Sequence, residues 1–299
     1  KLRRFFLEHT TVVSITDYSQ IKVFSQAVVL PIITILVKDR PEPSHRTSIY
    51  IPKDVSSFPT LTRKLSQSLW GSDEYSVFNT NLSEIDVDIR KKIDLASLPL
   101  GKYATVKFGI KIYETGKGFP QQKASDAKER IFESREKESS DYRKYLEGKD
   151  INRYSINWKN RWLKYGKNLA APREPDLFIG ERILVRRIVG EKLIGCYTNN
   201  DYVTSQLLQI VKPNDHFNAK YLIGLLNSSL IAYYFRKKYN RIDKTFPEIR
   251  IYELRSLPIR NIDFGNLGEK KCYDQIISLV SKILDLNEKL ASAKEPQLK

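Results

Sequence analysis

The pattern of apolar and polar residues at the start of the chain predicts a helix followed by two strands. Apolar side chains recur at helical spacing over residues 2–9, and residues 11–15 are rich in the β-branched residues that favour a strand. Residues 27–37 form a second apolar, β-branched run that is too short to cross a bilayer, so we expect a buried strand there. This order of elements is typical of the closing edge of an α/β sheet, and about fifty residues are too few to complete one.

The next part of the chain predicts a connector. Residues 41–100 contain prolines at positions 41, 43, 52 and 59, with helix-like pieces near residues 61–69 and 85–93. Residues 125–147 are densely charged in both signs, which is typical of a surface helix or a mobile loop.

Strands and helices alternate in the remainder. Residues 182–197 predict a β-hairpin that turns at Gly190 and Glu191. Residues 220–239 predict a helix that ends in three cations, as suits a helix C-terminus. A second, amphipathic helix is predicted over residues 272–292, and its apolar stripe consists of Ile276, Leu279, Val280, Ile283, Leu286 and Leu290.

Composition places the chain among globular proteins. Of its 299 residues 41% are hydrophobic and 29% charged, and no apolar run reaches the ~20 residues that cross a membrane. The first apolar residues give way to Glu8 too soon for a signal peptide, and Cys196 and Cys272 are isolated from each other. We therefore expect a cytoplasmic protein without a membrane partner, and, since the chain opens on Lys1 and lacks methionine, a fragment of a longer protein.

The net charge of +16 is concentrated in one part of the chain. Residues 101–260 hold 32 Lys and Arg against 18 Asp and Glu, whereas the flanking parts are nearly neutral. Basic residues mixed with Tyr and Trp favour a polyanionic partner, above all nucleic acid. The alternative is a lysine-rich solvated surface.

Common catalytic patterns are missing from the sequence. The histidines His9, His45 and His216 lie far apart and have no cysteine partners, so no zinc site is expected, and no phosphate-binding glycine loop of the Walker type occurs. For a nuclease, Asp176 and Glu181 are the nearest pair of carboxylates, but Ile183 stands where a lysine would be wanted. The chain is predicted to bind and not to catalyse, with no metal.

Six segments together resemble the specificity region of the TaqI-like adenine-N6 DNA methyltransferases, including the type IIG restriction–modification enzymes that both cut and methylate DNA. They are VKFGI at 106–110, GKGF at 116–119, YLEGKDINRY at 145–154, ILVRR at 183–187, YLIGLLNSSL at 221–230 and LRSLPI at 254–259. Their order and spacing agree over the region that also carries the charge.

The resemblance implies a mixed α/β fold. Residues 1–50 would form the C-terminal edge of a Rossmann-like methyltransferase sheet, 51–100 a connector, 101–260 the target recognition domain and 261–299 a C-terminal helix or linker. The family's catalytic motif and S-adenosylmethionine site would lie in a missing N-terminal methyltransferase domain, so no cofactor is expected in this fragment. Whether the fragment has an activity of its own stays open.

KVFSQAV at 22–28 resembles the late methyltransferase motif whose aromatic residue stacks on a flipped adenine, which would assign that role to Phe24. Packing of Phe24 in the core is the equal alternative.

The resemblance implies double-stranded DNA as partner and cations as its contacts. Lys117 lies between two glycines, which let a backbone approach a phosphate closely. The other candidates are Lys149, Arg153, Arg186, Arg187, Trp158, Lys159 and Arg161. For the cations a solvated surface is the alternative, and for Trp158 core packing; Asn227, inside a predicted helix, is expected to be structural.

Two further functions stay open at this point. One is a stand-alone nuclease, and the other is a nonspecific binder of DNA or RNA.

Overall fold

A computed structural model of the chain describes residues 1–27, 29–71, 76–214, 217–239 and 248–294; Val28 and His216 lie outside these ranges. The fold is mixed α/β with several sheets and a C-terminal helix, as predicted. The chain divides into two compact units. Unit 1 consists of Lys1–Leu95 with Tyr233–Phe246, and unit 2 consists of Ala96–Ala232 with Pro247–Lys299.

Unit 1 is built on a four-stranded sheet. Its elements in chain order are α1 (Leu2–His9), β1 (Thr11–Asp17), β2 (Ile32–Val37), β3 (Arg46–Tyr50), β4 (Leu61–Ser66), α2 (Ser68–Gly71) and α3 (Glu84–Leu95). The strand order is β2-β1-β3-β4, with β1 and β3 parallel and the other pairs antiparallel. The predicted helices at 2–9 and 85–93 are confirmed, but the piece at 61–69 is mostly strand.

Burial in unit 1 is concentrated on β1 and not on β2. Val12, Ile15 and Ile49 are fully buried and pack with Leu65 and Trp70. The prediction of a buried strand at 27–37 is wrong, because Ile32, Ile33, Ile35 and Val37 are 49–55% exposed. The reason is position: β2 is an edge strand whose one neighbour among the described strands is β1.

Unit 2 contains the remaining elements. In chain order they are β5 (Ser97–Pro99), α4 (Leu100–Tyr103), β6 (Ala104–Phe108), α5 (Ala124–Glu129), β7 (Glu133–Ser134), β8 (Tyr142–Leu146), β9 (Ile151–Asn152), β10 (Ser155–Ile156), β11 (Trp162–Lys164), β12 (Arg182–Arg186), β13 (Gly195–Thr198), β14 (Val203–Thr204), β15 (Leu208–Pro213), α6 (Ala219–Leu226), α7 (Ser229–Tyr239, shared with unit 1), α8 (Ile251–Arg255), β16 (Pro258–Arg260) and α9 (Leu267–Lys294).

Two four-stranded sheets enclose the main core of unit 2. Their orders are β14-β8-β11-β7 and β13-β12-β15-β6, and β12 and β13 form the predicted hairpin. Ile110, Leu146, Leu163, Leu184 and Ile210 are fully buried members of this core. The stretch 125–147, predicted as a surface helix or mobile loop, begins in the helix α5, which has no buried residue, and then also supplies β7 and β8 to a sheet.

The helices of unit 2 differ in two details from the pattern in the sequence. The helix predicted at 220–239 is divided into α6 and α7. α9 packs on α6 at Gly224, where an added Cβ would lie 2.8 Å from Ile276 Cγ2 and 3.1 Å from Val280 Cγ2. Leu279, Leu286 and Leu290 remain more than half exposed, so the predicted apolar stripe is only partly buried. Among the described helices none is both long and apolar enough to cross a membrane.

Candidate nucleic-acid interface

Two of the predicted contacts, Lys149 and Arg186, meet in one cleft. Lys149 lies in the 3-10 turn Gly148–Asp150 that follows β8, and Arg186 is the last residue of β12. The cleft, of 160 Å³, is lined by Glu147, Gly148, Lys149, Arg186, Ile188 and Leu207. We call it the Lys149–Arg186 cleft. The two cations are therefore brought to one opening from separate sheets.

Arg186 and its neighbour Arg187 have opposite surroundings. Arg187 donates two hydrogen bonds to Glu248 Oε2, at 3.1 Å from Nε and 2.9 Å from Nη2, and its guanidinium lies 5.7 Å from the ring of Phe108. Arg186 is half-buried, and within the described ranges its guanidinium has no acidic or hydrogen-bonding partner. Arg187 is thus held by the protein, whereas Arg186 is left available for a ligand.

The predicted contact Arg161 is buried, and this is a correction to its predicted role. Only 8% of the residue is exposed. Its guanidinium pairs with Glu147, at 2.6 Å from Nη1 to Oε2, and closely with the fully buried Asp150. Arg161 anchors the turn that carries Lys149 and does not reach the surface, because a buried carboxylate such as Asp150 needs a cation beside it.

Glu147 joins this network from the edge of the cleft. Besides Arg161 it pairs with Lys149, at 3.2 Å, and with Arg130, at 3.1 Å. Burial alone would raise the pKa of Glu147, but the hydrogen bond and charge of Arg161 outweigh it, so this pKa lies below its ordinary value. Glu147 therefore stays ionised and holds Lys149 at the rim.

A second surface combines two tryptophans with lysines. Trp158 and Trp162 meet edge to face with ring centroids 5.5 Å apart. Lys144 Nζ lies 4.9 Å from the ring of Trp158, and Lys137 Nζ lies 6.0 Å from that of Trp162. We call Lys137, Lys144, Trp158 and Trp162 the Trp–Lys patch.

Trp158 itself is only half exposed. Its Nε1 donates to the carbonyl oxygen of Arg161 at 3.0 Å, and its ring packs against the core of unit 2. The neighbouring Lys159 is exposed, and its side chain has no partner among the described residues. The core-packing alternative for Trp158 therefore holds for part of the side chain, and its contact with DNA stays a prediction.

Sequence reasoning missed the lysines of this patch. Lys144 lies opposite Trp162 across the β8–β11 pair, which only the register of the sheet reveals. Together with Arg143 and Asn199 they line a shallow cleft of 420 Å³ beside Trp162. The available signal was the pair of cations Arg143 and Lys144 between the aromatic residues Tyr142 and Tyr145.

Lys117 is exposed on a loop of its own. Gly116 and Gly118 have φ values of 78° and 79°, the left-handed region that favours glycine. A Cβ on Gly118 would also collide with the carbonyl oxygen of Asn168. Both glycines are therefore required by the conformation of the loop itself, and the phosphate contact of Lys117 stays a prediction.

The last two candidates lie elsewhere. The guanidinium of Arg153 binds the carbonyl oxygen of Asn227 at the end of α6 and lies 5.9 Å from the ring of Tyr154. Phe24, in unit 1, is 51% exposed. The core alternative for Phe24 is thereby removed.

The carboxylate Glu181, considered above for a nuclease, is engaged by a tyrosine. It accepts a hydrogen bond from the Tyr197 hydroxyl at 2.5 Å. No three His, Cys, Asp or Glu residues within the described ranges converge as metal ligands.

Comparison with known sequences finds a family over the part of the chain that holds the Lys149–Arg186 cleft. Residues 143–259 match the family described as TaqI-like C-terminal specificity domain. A putative type II restriction enzyme and methyltransferase of Methanocaldococcus jannaschii is 32% identical over 165 residues. That match covers 52% of this chain and 13% of the relative, so the chain spans a small part of its length.

A solved structure shares the fold. It is the type IIL restriction–modification enzyme MmeI in complex with DNA, which superposes with a TM-score of 0.51 over 91% of this chain and 38% of its own, at 11% identity. At this identity the likeness concerns the fold alone.

Proposed function

We propose a specific function for this chain on the basis of the match of residues 143–259 to the TaqI-like C-terminal specificity domain and of its similarity to a putative type II restriction enzyme and methyltransferase. The chain recognises a sequence in double-stranded DNA as the specificity region of an adenine-N6 methyltransferase of the type IIG class. The observation that carries the proposal is Arg186, a half-buried guanidinium without a partner in the described part of the chain, which lines one cleft with Lys149.

The cleft supplies the two kinds of contact that DNA reading needs. A guanidinium can donate two hydrogen bonds to O6 and N7 of a guanine, which identifies the base. Lys149 has 63% of its side chain exposed at the rim, where an ammonium meets a phosphate and fixes position. We assign base reading to Arg186 and phosphate contacts to Lys149 and to Lys117 on its glycine-flanked loop.

The aromatic surface gives this domain a further means of holding DNA. In the Trp–Lys patch, Lys144 and Lys137 lie over indole rings, and the side chain of Lys159, which follows Trp158 in the chain, has no partner among the residues that the structure describes. Cations on aromatic rings offer both charge and a flat apolar face to a sugar–phosphate backbone. We propose this patch as a second backbone contact.

Methyl transfer belongs to the whole enzyme in this proposal. The chain spans 13% of its relative, and S-adenosylmethionine and the catalytic motif would be supplied by the methyltransferase domain. We propose that Phe24 contributes from unit 1 by stacking on the flipped adenine, since its ring is half exposed. The enzyme would act in the cytoplasm, where it meets DNA.

The role of Phe24 is testable in the whole enzyme. Replacement Phe24→Ala is expected to lower the methylation rate by about tenfold or more, because stacking on one base is worth ~1–3 kcal/mol. Phe24→Tyr keeps the aromatic face and should retain the rate. Equal rates for Phe24→Ala and the unaltered enzyme would contradict this assignment.

The central proposal is tested by selection from duplexes of random sequence. The chain is expected to enrich one sequence, to prefer it over random duplex by ~10³ or more at fixed salt, and to lose affinity steeply as salt rises. Equal affinity for the enriched and the random duplex would instead describe a nonspecific binder. Absence of binding at low salt would overturn DNA recognition altogether.

A further inference from the structure

The loop that carries Lys117 has a fixed backbone. Gln122 is 4% exposed, and its side chain accepts a hydrogen bond from Glu114 N at 2.8 Å. The same side chain donates to the carbonyl oxygens of Ile112, at 2.8 Å, and Asn168, at 2.6 Å. Phe119 N donates to the carbonyl oxygen of Lys167 at 2.8 Å, which ties the tip of the loop to a second segment.

This fixed loop displays an aromatic ring to solvent. Phe119 is 77% exposed, although a phenylalanine usually gains by burial. Because the backbone around it is held by Gln122 and Gly118, the ring cannot fold back to the core without breaking those contacts. An apolar side chain presented on a preordered backbone is suited to insertion into a partner, since little ordering entropy is lost on binding.

The charges around the ring indicate the chemistry of that partner. Two exposed lysines lie near Phe119. Lys117 precedes it by two residues, and Lys167 is the residue whose carbonyl oxygen accepts from Phe119 N. Within the described ranges neither ammonium pairs with a carboxylate. The nearby Lys111 is already neutralised by Glu114, at 2.9 Å. Duplex DNA complements this arrangement, because its phosphates can pair with the two lysines and its stacked base pairs offer flat apolar faces to the ring.

We propose that Phe119 is a wedge that inserts between base pairs of the bound duplex, while Lys117 and Lys167 hold the adjacent phosphates. This inference rests on the proposed DNA recognition. Apolar wedges of this kind partly unstack a base step and kink the duplex by ~20–90°. Phe119 would therefore be a positioning residue that bends the site, and the bending energy of the step would add to sequence selection.

The test compares variants on a duplex that the unaltered chain has enriched from a random pool. Phe119→Ala is expected to weaken binding about tenfold, or ~1.4 kcal/mol, and to abolish the shortening of the end-to-end distance measured by energy transfer between dyes on the duplex ends. Phe119→Trp should restore both, whereas Phe119→Leu should restore them only in part.

Two controls separate the wedge from general effects. Phe58 is 94% exposed in unit 1, and Phe58→Ala should leave affinity and bending unchanged. Lys117→Ala should lower the slope of log affinity against log salt by about 0.9, while Phe119→Ala leaves that slope unchanged. The thermal midpoint of each variant shows that it is folded.

The outcomes distinguish the wedge from the function on which it rests. An unaltered chain that enriches no sequence overturns both proposals. If the unaltered chain enriches a sequence, and Phe119→Ala binds and bends that duplex as well as the unaltered chain does, the wedge alone is overturned. A Phe119→Ala variant that loses affinity but bends the duplex as before also overturns the wedge, because a contact of the ring with the DNA surface would then explain the loss.

Discussion

The side-chain amide of Asn227 binds both backbone polar groups of Gly195. Its Oδ1 accepts from Gly195 N at 3.0 Å, and its Nδ2 donates to the carbonyl oxygen of Gly195 at 3.0 Å. Asn227 is 1% exposed, so the end of α6 is fastened to the first residue of β13 inside the protein. The predicted structural role of Asn227 is confirmed.

Replacement Asn227→Ala is expected to lower the free energy of unfolding by ~1–3 kcal/mol, because the buried Gly195 N–H loses the Asn227 acceptor and the Gly195 carbonyl, which also accepts from Tyr154 N, loses one donor. Urea denaturation measures this change. Asn157 is exposed and its side chain has no partner among the described residues, so Asn157→Ala is the matched control and should stay within about 0.5 kcal/mol. Equal losses in the two variants would contradict the stabilising role.

Gly109 is expected to tolerate no side chain. A Cβ there would collide with the carbonyl oxygens of Thr204 and Ser205, which are backbone atoms and cannot rotate away. Gly109→Ala should lower the unfolding free energy by ~1–3 kcal/mol or more in thermal or urea denaturation. Gly190 has no atom within 4 Å of a built Cβ, and Gly190→Ala should be nearly neutral.

Arg161 and Lys149 share Glu147 as partner but should differ in their contribution to stability. Arg161→Ala leaves the buried Asp150 without a cation and should lower the unfolding free energy by ~3–5 kcal/mol. Lys149→Ala removes an exposed ion pair and should lower it by less than ~1 kcal/mol. Urea denaturation at neutral pH compares the two, and a large loss for Lys149→Ala would be evidence against the difference in burial.

Asp86 in unit 1 is expected to make stability depend on pH in the acid range. Burial alone would raise its pKa, but hydrogen bonds from Tyr233, Lys237 and Ser83 lower it from 3.8 to about 2. Since the folded pKa is depressed, the stabilisation is complete above about pH 4 and is lost as the pH falls towards 2.

The measurement for Asp86 is urea denaturation across pH 2 to 6. The fall in the free energy of unfolding between pH 6 and pH 2, the acid limb, should be smaller in Asp86→Asn by an amount on the order of 2 kcal/mol. Asp88, an exposed residue two positions further along α3 and without such partners among the described residues, provides the control Asp88→Asn. An unchanged acid limb in Asp86→Asn would contradict the proposed linkage.

Arg186→Ala should weaken binding of the enriched duplex by ~10- to 100-fold and relax the choice at one base position, because a bidentate contact discriminates by ~1–3 kcal/mol. Competition with duplexes altered one position at a time measures both effects. Arg63 is a half-buried arginine on β4 outside the family match, and Arg63→Ala is the control. An equal loss of affinity for all duplex sequences would indicate that Arg186 contacts a phosphate and not a base.

Much of the local structure followed from periodicity. The helices at 2–9 and 85–93, the hairpin at 182–197 and the helix of 272–292 were all correctly predicted, since their side chains repeat at the spacing of the element. The helix at 220–239 was predicted without its break after Leu226; at the break, the side chain of Asn227 binds Gly195, which is 32 residues away in sequence.

Burial was predicted less well where it depends on neighbours. The run at 27–37 has the composition of a buried strand, yet β2 is exposed because it occupies an edge. Arginine is usually exposed, yet Arg161 is buried, where it pairs with Asp150 and Glu147. In each case the sequence showed the type of residue but not which other parts of the fold would lie against it.

The sequence by itself determined the concentration of charge in residues 101–260 and the family resemblance, because both depend on residue identity and order along the chain. Only the tertiary structure decided which cations are available. Arg186 and Arg187 are adjacent in sequence, but Glu248 neutralises one and leaves the other open in the cleft. A cation's availability depends on the charges that folding brings within a few ångströms of it, and those lie far away in sequence.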